Sequence, residues 1–330
     1  KIAEGVDPQL QKVENARRQV DLAFDTCIAG FRDDCLKKEW KATHKYAYSL
    51  LETHALPTLK GKALCDVTRK DMKAILDPIS SKTATASNVF AVMRRLFSWS
   101  IEHEDLERSP LEGMKPPPLP ASRDRVLSDD ELRLIWQGSE KLGYPFGPMV
   151  QLLILTGARR EEVAAMEWEE LDRDRRAWSL PAARSKNGVS AVQPLSEKAC
   201  AVLSAMAGRA RKDGKWPKKG FVFSTTGETT VSGYSRAKRR LDREIRAIAE
   251  KAKVAPPESW RLHDLRRTLA TGLQRLGVRL EVTEAVLNHV SGSRSGIVGI
   301  YQRYNWAEEK REALEAWGTQ VRDLLPNGAS

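Results

Sequence analysis

The second half of the chain carries basic side chains and a tyrosine of the types that metal-free cleavage of a phosphodiester would require. These residues are Arg159, Lys186, His263, Arg266, His289 and Tyr301. Negative charge builds on the non-bridging oxygens in the five-coordinate transition state, so preorganised cations aimed at those oxygens supply much of the catalysis. Arginine suits this task because its planar guanidinium can hold two oxygens at once. The order and spacing of the set therefore predict a pocket that binds a phosphodiester and attacks it with a phenol.

Two arginine motifs place cations on predicted helices. Arg159 lies in the first turn of a helix that follows Gly157, where free backbone N–H groups favour an anion, and Glu162 can orient it. His263 and Arg266 are three residues apart on a predicted helix, so they project from one face and combine a proton-shuttling imidazole with a fixed cation. Each motif taken alone also fits a surface helix start with a solvated charge.

The lysine, the second histidine and the tyrosine lie in predicted loops. Lys186 stands before the Asn187-Gly188 turn of a predicted hairpin, whose tip could bring an ammonium to a leaving oxygen; a lone lysine there also fits simple exposure. His289 follows a predicted helix, and Tyr301 lies beyond a glycine-rich stretch that suits a nucleophile which must approach and leave. A phenol has a pKa of about 10 and needs nearby cations or a base to ionise. Tyr304 is the rival nucleophile, and chemistry alone does not separate the two.

Hydrophobic periodicity predicts a mainly α chain with a small antiparallel sheet, an α+β fold class. Helices are predicted over 8–55, from Thr68, over 83–104, from Ser128, over 149–155, after Gly157, and over 197–210, 233–252, 263–275, 281–288 and 307–324. Strands are predicted at Ala177–Leu180 and Ser190–Leu195, and Pro57 is expected to interrupt the first helical region. The sequences beginning at Thr68 and Ser128 resemble capping boxes, with an acidic residue three positions later.

A proline-rich segment predicts two domains. Four of the five residues 116–120 are proline, which excludes a helix or a central strand and favours an extended linker over 115–124. Residues 13–114 then form a small helical domain, and residues 125–330 form a second, mostly helical domain with the sheet.

Composition indicates a polyanionic partner and an intracellular protein. The formal charge is +11 and the pI about 9.5, which suits neutralisation of DNA phosphates, although charge alone also fits a protein kept soluble by it. The four cysteines show no C-x-x-C spacing and predict reduced thiols, with neither a zinc site nor a disulfide framework. No apolar run approaches the roughly 18 residues of a membrane span, and no signal peptide is visible. We therefore expect a cytoplasmic protein without a membrane partner.

Taken together, the motifs resemble those of the tyrosine recombinases, most closely the phage and genomic-island integrases. Thr156-Gly157-Ala158-Arg159 with Glu162 resembles the T-G-x-R-x-x-E motif, and His263-Asp264-Leu265-Arg266 resembles H-x-L-R. Lys186-Asn187-Gly188 resembles the β-hairpin lysine, and Leu287-Asn288-His289 resembles L-x-H. Gly299-Ile300-Tyr301 fits the nucleophile position. The resemblance covers the whole chain, with residues 1–12 similar to the tail of an arm-binding domain that is otherwise missing.

The resemblance implies a fold, a reaction and partners. Residues 13–114 would be a core-DNA-binding domain and 125–330 the catalytic domain, which together clamp duplex DNA. Tyr301 would attack the scissile phosphate; Arg159, Arg266 and one or both histidines would stabilise the transition state; Lys186 would be the general acid; Glu162 would support Arg159. No metal, ATP or other cofactor is implied. Candidate DNA contacts are Lys82, Arg94, Arg95, Arg184 and Arg267.

The resemblance also implies an assembly. Recombination needs two duplexes and four protomers, with possible accessory DNA-bending or directionality proteins in a prokaryotic or phage setting near the nucleoid. The helix about 307–324 carries Ala313, Leu314, Trp317, Val321 and Leu324 on one side and is expected to pack onto a neighbouring protomer, with packing in cis as the alternative. A non-catalytic DNA-binding protein derived from an integrase and a type IB topoisomerase are the rival functions.

Overall fold

The computed structural model describes residues 22–41, 43–121, 123–210, 213, 215–289 and 305–325, and it forms two compact units, Lys1–Ser122 and Arg123–Ser330. The division falls within the proline-rich segment 115–124. Each unit has its own apolar core. The predicted fold class, mainly helical with a small antiparallel sheet, is confirmed.

In its described part, the first unit contains helices, helical turns and one isolated β-bridge between Ala23 and Ala63. The helices and turns are α1 (Phe24–Phe31), a π-helical turn (Arg32–Leu36), α2 (Lys37–Glu39), α3 (His44–Leu50), a second π-helical turn (Leu51–Ala55), α4 (Leu56–Leu59), a 3-10 turn (Leu64–Asp66), α5 (Arg69–Leu76), a 3-10 turn (Asp77–Ile79) and α6 (Thr83–Glu102). The capping box before α5 is present, because the Thr68 backbone N–H donates to the Asp71 carboxylate at 2.8 Å while the Thr68 hydroxyl accepts from the Asp71 N–H. Buried apolar side chains of α6 fill the centre of this core.

The expected effect of Pro57 on the first helical region is wrong. Helical structure continues through it, because Pro57 lies in the first turn of α4, directly after the π-helical turn Leu51–Ala55. A proline in a first turn removes a backbone N–H that has no partner within its own helix, so the chain tolerates it there.

The second unit carries every predicted catalytic position. Its elements are α7 (Asp129–Leu142), α8 (Phe146–Thr156), α9 (Arg160–Ala164), a 3-10 turn (Trp168–Glu170), β1 (Leu171–Asp172), β2 (Ala177–Leu180), a 3-10 turn (Ala182–Arg184), β3 (Ala191–Pro194), α10 (Glu197–Ala210), α11 (Tyr234–Ala252), α12 (Leu262–Arg275), α13 (Leu280–Val286) and α14 (Ala307–Asp323). The strands form an antiparallel sheet in the order β1-β2-β3, in which Ala177 pairs with Pro194 and Leu180 with Ala191. The almost entirely apolar helix α8 lies at the centre of the core and contacts α7, α10, α12 and α14.

β2 and β3 pair as the predicted antiparallel hairpin, and their connection is longer than a two-residue turn. A 3-10 turn and a separate turn occupy residues 181–188, and the Gly188 N–H donates to the Ser185 carbonyl at 3.0 Å. Gly188 has φ +67°, a left-handed backbone conformation that glycine adopts readily. Lys186 is therefore the second residue of this turn, inside it and not before it.

The C-terminal helix corrects a second expectation. Ala313, Leu314, Trp317 and Val321 of α14 are buried against their own unit, and the Trp317 indole N–H donates to the Ile154 carbonyl at 2.9 Å. The stripe that was expected to pack onto a neighbouring protomer is therefore already covered in cis. Periodicity identifies an apolar stripe but not the surface that covers it.

Candidate active site

The turn after α8 fixes where the first arginine begins its helix. Gly157 has φ +60°, and a Cβ atom there would lie 3.0 Å from a methyl group of Leu269 on α12. Glycine is therefore required both for the left-handed backbone and for close packing against α12. The side-chain amide of Gln193 on β3 also contacts this turn, because it donates to the Thr156 carbonyl at 3.0 Å. Arg159 follows as the N-terminal cap of α9.

Glu162 orients Arg159 through two hydrogen bonds. Its carboxylate accepts from the Arg159 backbone N–H at 2.9 Å and from Arg159 Nη1 at 2.9 Å. The Glu162 side chain is buried, whereas 18% of the Arg159 side chain remains exposed. The guanidinium is thus held in one orientation while part of it still faces solvent, which is the requirement for a preorganised anion donor.

Arg266 is the most deeply buried of the predicted catalytic cations. Its guanidinium donates through Nη1 to the Gly157 carbonyl at 2.6 Å and through Nη2 to the Leu287 carbonyl. Burial and, as the second cause, the nearby positive charge of Arg159 together lower the pKa of Arg266 to about 10. Two neighbouring cations that repel each other indicate a site for an anion, because a bound phosphate would offset that repulsion.

His263 opens onto a cleft of about 930 Å³ whose lining includes Arg159 and Lys186. His263 is exposed on the cleft, but desolvation of its ring by the surrounding protein lowers its pKa below the usual range, and the charges of Arg267 and Arg266 act in the same direction. A neutral imidazole near pH 7 can accept a proton.

A fully buried carboxylate fixes the start of the helix that carries His263. Asp264 accepts from the Arg261 backbone N–H at 2.8 Å and from Arg267 Nη1 at 2.7 Å. Arg267, a candidate DNA contact, is therefore held by Asp264 while 34% of its side chain stays exposed.

Lys186 is exposed on the cleft, in a turn whose neighbouring residues are anchored. Before it, the Arg184 guanidinium pairs with the Glu170 carboxylate and donates to the Ala165 carbonyl. After it, the Asn187 amide contacts Arg159 and Asn288. The structure therefore gives Arg184 partners inside the protein, so an additional contact with DNA stays a prediction.

His289 lies three residues after the end of α13 and is not among the residues that line the described cleft. Asn288 before it has φ +47°, a left-handed conformation that asparagine tolerates better than most residues. His289 Nδ1 lies 3.0 Å from a carboxylate oxygen of Glu284. When Nδ1 carries the proton in that contact, Nε2 is the free nitrogen. The predicted nucleophile Tyr301 and its rival Tyr304 lie outside the described residues.

The predicted DNA contacts of the first unit differ in their availability. Lys82 and Arg94 are exposed at the start and on the surface of α6. Arg95 instead pairs with Glu39 at 2.6 Å and with Glu102 at 3.2 Å.

Sequence reasoning missed four cleft residues on α11, which are Tyr234, Ser235, Lys238 and Arg239. The Tyr234 hydroxyl lies 3.3 Å from Glu161, and burial, followed by the charge of Glu161, raises the pKa of Tyr234 to about 12. This phenol is therefore a poor candidate for an ionised nucleophile. The Lys238 ammonium lies 3.9 Å from the Trp260 ring centroid and 2.6 Å from Asp242. Only the amphipathic, arginine-rich pattern of the helix could have suggested its part in the cleft.

Within the described ranges, no group of three or more His, Cys, Asp or Glu side chains is placed to hold a metal ion. Among the helices in those ranges, none is long and apolar enough to cross a membrane.

Comparison with known proteins gives one family match. The model of the phage integrase family matches residues 125–307, more than half of the chain. The chain is 25% identical to the prophage integrase IntZ of Escherichia coli (strain K12), over 98% of this chain and 78% of that protein. It is 28% identical to the integrase of Salmonella phage P22, over 80% of this chain and 66% of that protein.

A solved structure shares the fold. A lambda integrase tetramer bound to a Holliday junction superposes with a TM-score of 0.68 at 17% identity, covering 89% of this chain and 85% of that one. At this identity the likeness concerns the fold alone.

Proposed function

This chain belongs to the phage integrase family, and from that premise we propose that it is a tyrosine site-specific recombinase that cuts and rejoins duplex DNA to integrate or excise a mobile element. The observation that carries the proposal is the convergence of Arg159 and Arg266 on the Gly157 turn. Arg159 is fixed by Glu162, Arg266 donates to the Gly157 carbonyl, and Arg159 lies near enough for its charge to act on Arg266. His263 and Lys186 open onto the cleft that Arg159 lines.

These positions suggest a role for each group. The Tyr301 oxygen attacks the scissile phosphorus and forms a 3′-phosphotyrosyl bond, while the bond from phosphorus to the 5′-oxygen breaks. The phenol proton passes to His263, whose lowered pKa keeps it neutral, and Lys186 donates a proton to the leaving 5′-oxygen. Arg159, Arg266 and His289 stabilise the charge on the non-bridging oxygens.

Rejoining is the same reaction in reverse. The 5′-hydroxyl of a partner strand attacks the phosphotyrosyl bond and releases Tyr301. The covalent link conserves the bond energy of the phosphodiester, so the proposed reaction uses no ATP and no metal.

The partners follow from this reaction. We propose duplex attachment sites as substrate and a tetramer on two duplexes as the active assembly, in line with the tetrameric lambda integrase on a Holliday junction. The exposed side chains of Lys82 and Arg94, and the partly exposed Arg267, are the proposed phosphate contacts. Accessory DNA-bending or directionality proteins and a cytoplasmic, nucleoid-associated setting belong to the same proposal.

Covalent trapping tests the proposal. A labelled, nicked duplex that carries the candidate attachment core is incubated with wild type, Tyr301→Phe and Tyr304→Phe, and denaturant-resistant adducts are separated on a gel. We expect an adduct that only Tyr301→Phe abolishes. Loss with Tyr304→Phe alone would move the nucleophile by three residues. Tight binding without any adduct would favour a non-catalytic DNA-binding protein.

A further inference from the structure

The turn that carries Lys186 is anchored on both sides of the lysine. On one side, Arg184 is held by Glu170 and by the Ala165 carbonyl. On the other side, the Asn187 side-chain amide contacts Arg159 and the Asn288 carbonyl. The neighbouring Gly188 and Val189 are exposed, and among the described residues the Gly188 N–H donates only to the Ser185 carbonyl, inside the turn. Asn187 is therefore the residue that ties the exposed half of the turn to the rest of the unit.

Both the nitrogen and the oxygen of the Asn187 side-chain amide form hydrogen bonds. Nδ2 donates to the Asn288 carbonyl at 2.6 Å, and Oδ1 accepts from Arg159 Nη2 at 3.4 Å. Only one orientation of the amide satisfies both contacts, because a carbonyl only accepts and a guanidinium only donates. The shorter contact, to Asn288, is the stronger anchor.

The side chain of Asn288 makes a second contact with the turn that carries Lys186. This side chain is buried, and its Nδ2 lies 3.3 Å from the Ser185 hydroxyl oxygen. The two asparagines thus join the turn of Lys186 to the chain segment immediately before His289. Both contacts span more than a hundred residues of sequence.

Anchoring this turn restricts the positions that Lys186 can take before the reaction. An unanchored lysine on a surface turn samples many backbone and side-chain conformations, and ordering them at the moment of reaction costs conformational entropy. A misplacement of about 1 Å can slow a reaction by about 10²-fold.

We propose that Asn187 is a positioning residue that holds Lys186 at the leaving 5′-oxygen by anchoring the turn to the Asn288 carbonyl. The inference rests on the proposed function. It requires that loss of Asn187 impair proton donation to the leaving group and leave the phosphate-binding arginines competent.

A bridging-sulfur substrate tests this directly. In a nicked duplex whose scissile 5′-oxygen is replaced by sulfur, the bond from phosphorus to sulfur breaks and a thiolate departs. A thiolate, with a thiol pKa of about 8.5, leaves without a proton from a general acid. Single-turnover adduct formation is measured on the oxygen and sulfur duplexes for wild type, Asn187→Ala, Asn187→Asp, Lys186→Ala and Tyr301→Phe. Val189→Ala is the matched control, because Val189 is 45% exposed in the same segment.

We expect Asn187→Ala to be about 10- to 100-fold slower than wild type on the oxygen duplex and within about threefold of it on the sulfur duplex, as for Lys186→Ala. Asn187→Asp should behave like Asn187→Ala, because a carboxylate cannot donate to the Asn288 carbonyl although it can pair with Arg159. Val189→Ala should match wild type on both duplexes. Thermal unfolding should show that every variant is folded at the assay temperature, and binding measurements should show that Asn187→Ala still binds the duplex.

Three outcomes would overturn the inference alone, provided that wild type forms adducts. They are a wild-type rate for Asn187→Ala on the oxygen duplex, no rescue of this variant by sulfur, and a wild-type rate for Asn187→Asp. The last result would place the role of Asn187 at Arg159. Absence of a wild-type adduct on both duplexes would instead overturn the proposed function.

Discussion

Arg266 donates a hydrogen bond of 2.6 Å from Nη1 to the carbonyl oxygen of Gly157, across 109 residues of sequence. The same guanidinium donates to the Leu287 carbonyl, so one buried side chain joins the turn before Arg159 to the end of α13. The arginine that we propose to bind the phosphate therefore also joins the segments that carry Arg159 and His289, two of the other proposed catalytic residues.

Replacement of Arg266 tests this double role. Arg266→Lys keeps the charge, but an ammonium cannot reproduce the planar fork that reaches two carbonyls. We expect adduct formation in a single-turnover trapping assay to fall by at least about 10²-fold. Arg275→Lys on the same helix, 58% exposed and paired with Asp129, is the control and should react like wild type. Equal rates for the two variants would contradict the role of Arg266.

The Gly157 turn can be tested by adding one methyl group. Gly157→Ala combines a left-handed backbone with a Cβ atom 3.0 Å from Leu269, so it should lower the free energy of unfolding by about 1–3 kcal/mol and slow adduct formation. Gly277→Ala is a matched control, because Gly277 has φ +76° and nothing within 4 Å of its added Cβ. Urea unfolding should show strain in both variants but a larger loss for Gly157→Ala. Equal losses would mean that the contact with α12 is unimportant.

Glu162 should act through Arg159. Glu162→Ala removes the acceptor for the Arg159 backbone and guanidinium and should reduce the free energy of unfolding by about 1–3 kcal/mol. Glu162→Gln keeps one acceptor and should lose less, while both variants should form adducts more slowly than wild type. Glu169→Gln, an exposed acidic position nearby, serves as the control in urea unfolding and trapping. A Glu162→Ala chain as stable and as active as this control would refute the prediction.

The lowered pKa of His263 predicts how the rate of adduct formation falls at acid pH. Because desolvation and neighbouring cations lower this pKa, the base form persists below the ordinary value of about 6.5 and is lost only as the pH falls further. Single-turnover rates between pH 5 and 8 should therefore be flat near neutrality and fall only at acid pH. His263→Gln should be slower and lack this fall at acid pH, whereas His103→Gln in the first unit should keep it. An unchanged fall at acid pH in His263→Gln would assign the titration to another group.

The packing of α14 against its own unit predicts which substitutions lower the free energy of unfolding. Trp317 is 2% exposed and donates to the Ile154 carbonyl, so Trp317→Ala should cost about 3–5 kcal/mol, whereas Leu280→Ala, at a residue 71% exposed, should stay within about 0.5 kcal/mol. The loss should not depend on protein concentration. A melting temperature of wild type that rises with concentration would indicate that this helix packs between protomers.

Local signals were enough for the element types and for much of the candidate site. The residues at Thr68 and Ser128 form the expected capping boxes, since such boxes need only side chains three positions apart. The Gly157 turn and the predicted cations also follow from short motifs. The identity of the nucleophile remains a prediction, because Tyr301 lies outside the described residues.

The sequence by itself determined the mainly helical fold class, the proline-rich division near residues 115–124 and the chemical types of the site, because periodicity, proline stiffness and side-chain chemistry are local properties. Only the tertiary structure decided which partners the long side chains take: Arg184 bonds to Glu170, Arg95 to Glu39, and Asn187 to a carbonyl 101 residues away. It also decided that the apolar stripe of α14 is covered by its own unit. A long polar side chain can reach several acceptors and an apolar stripe can be buried by any matching surface, so these choices depend on how distant segments pack.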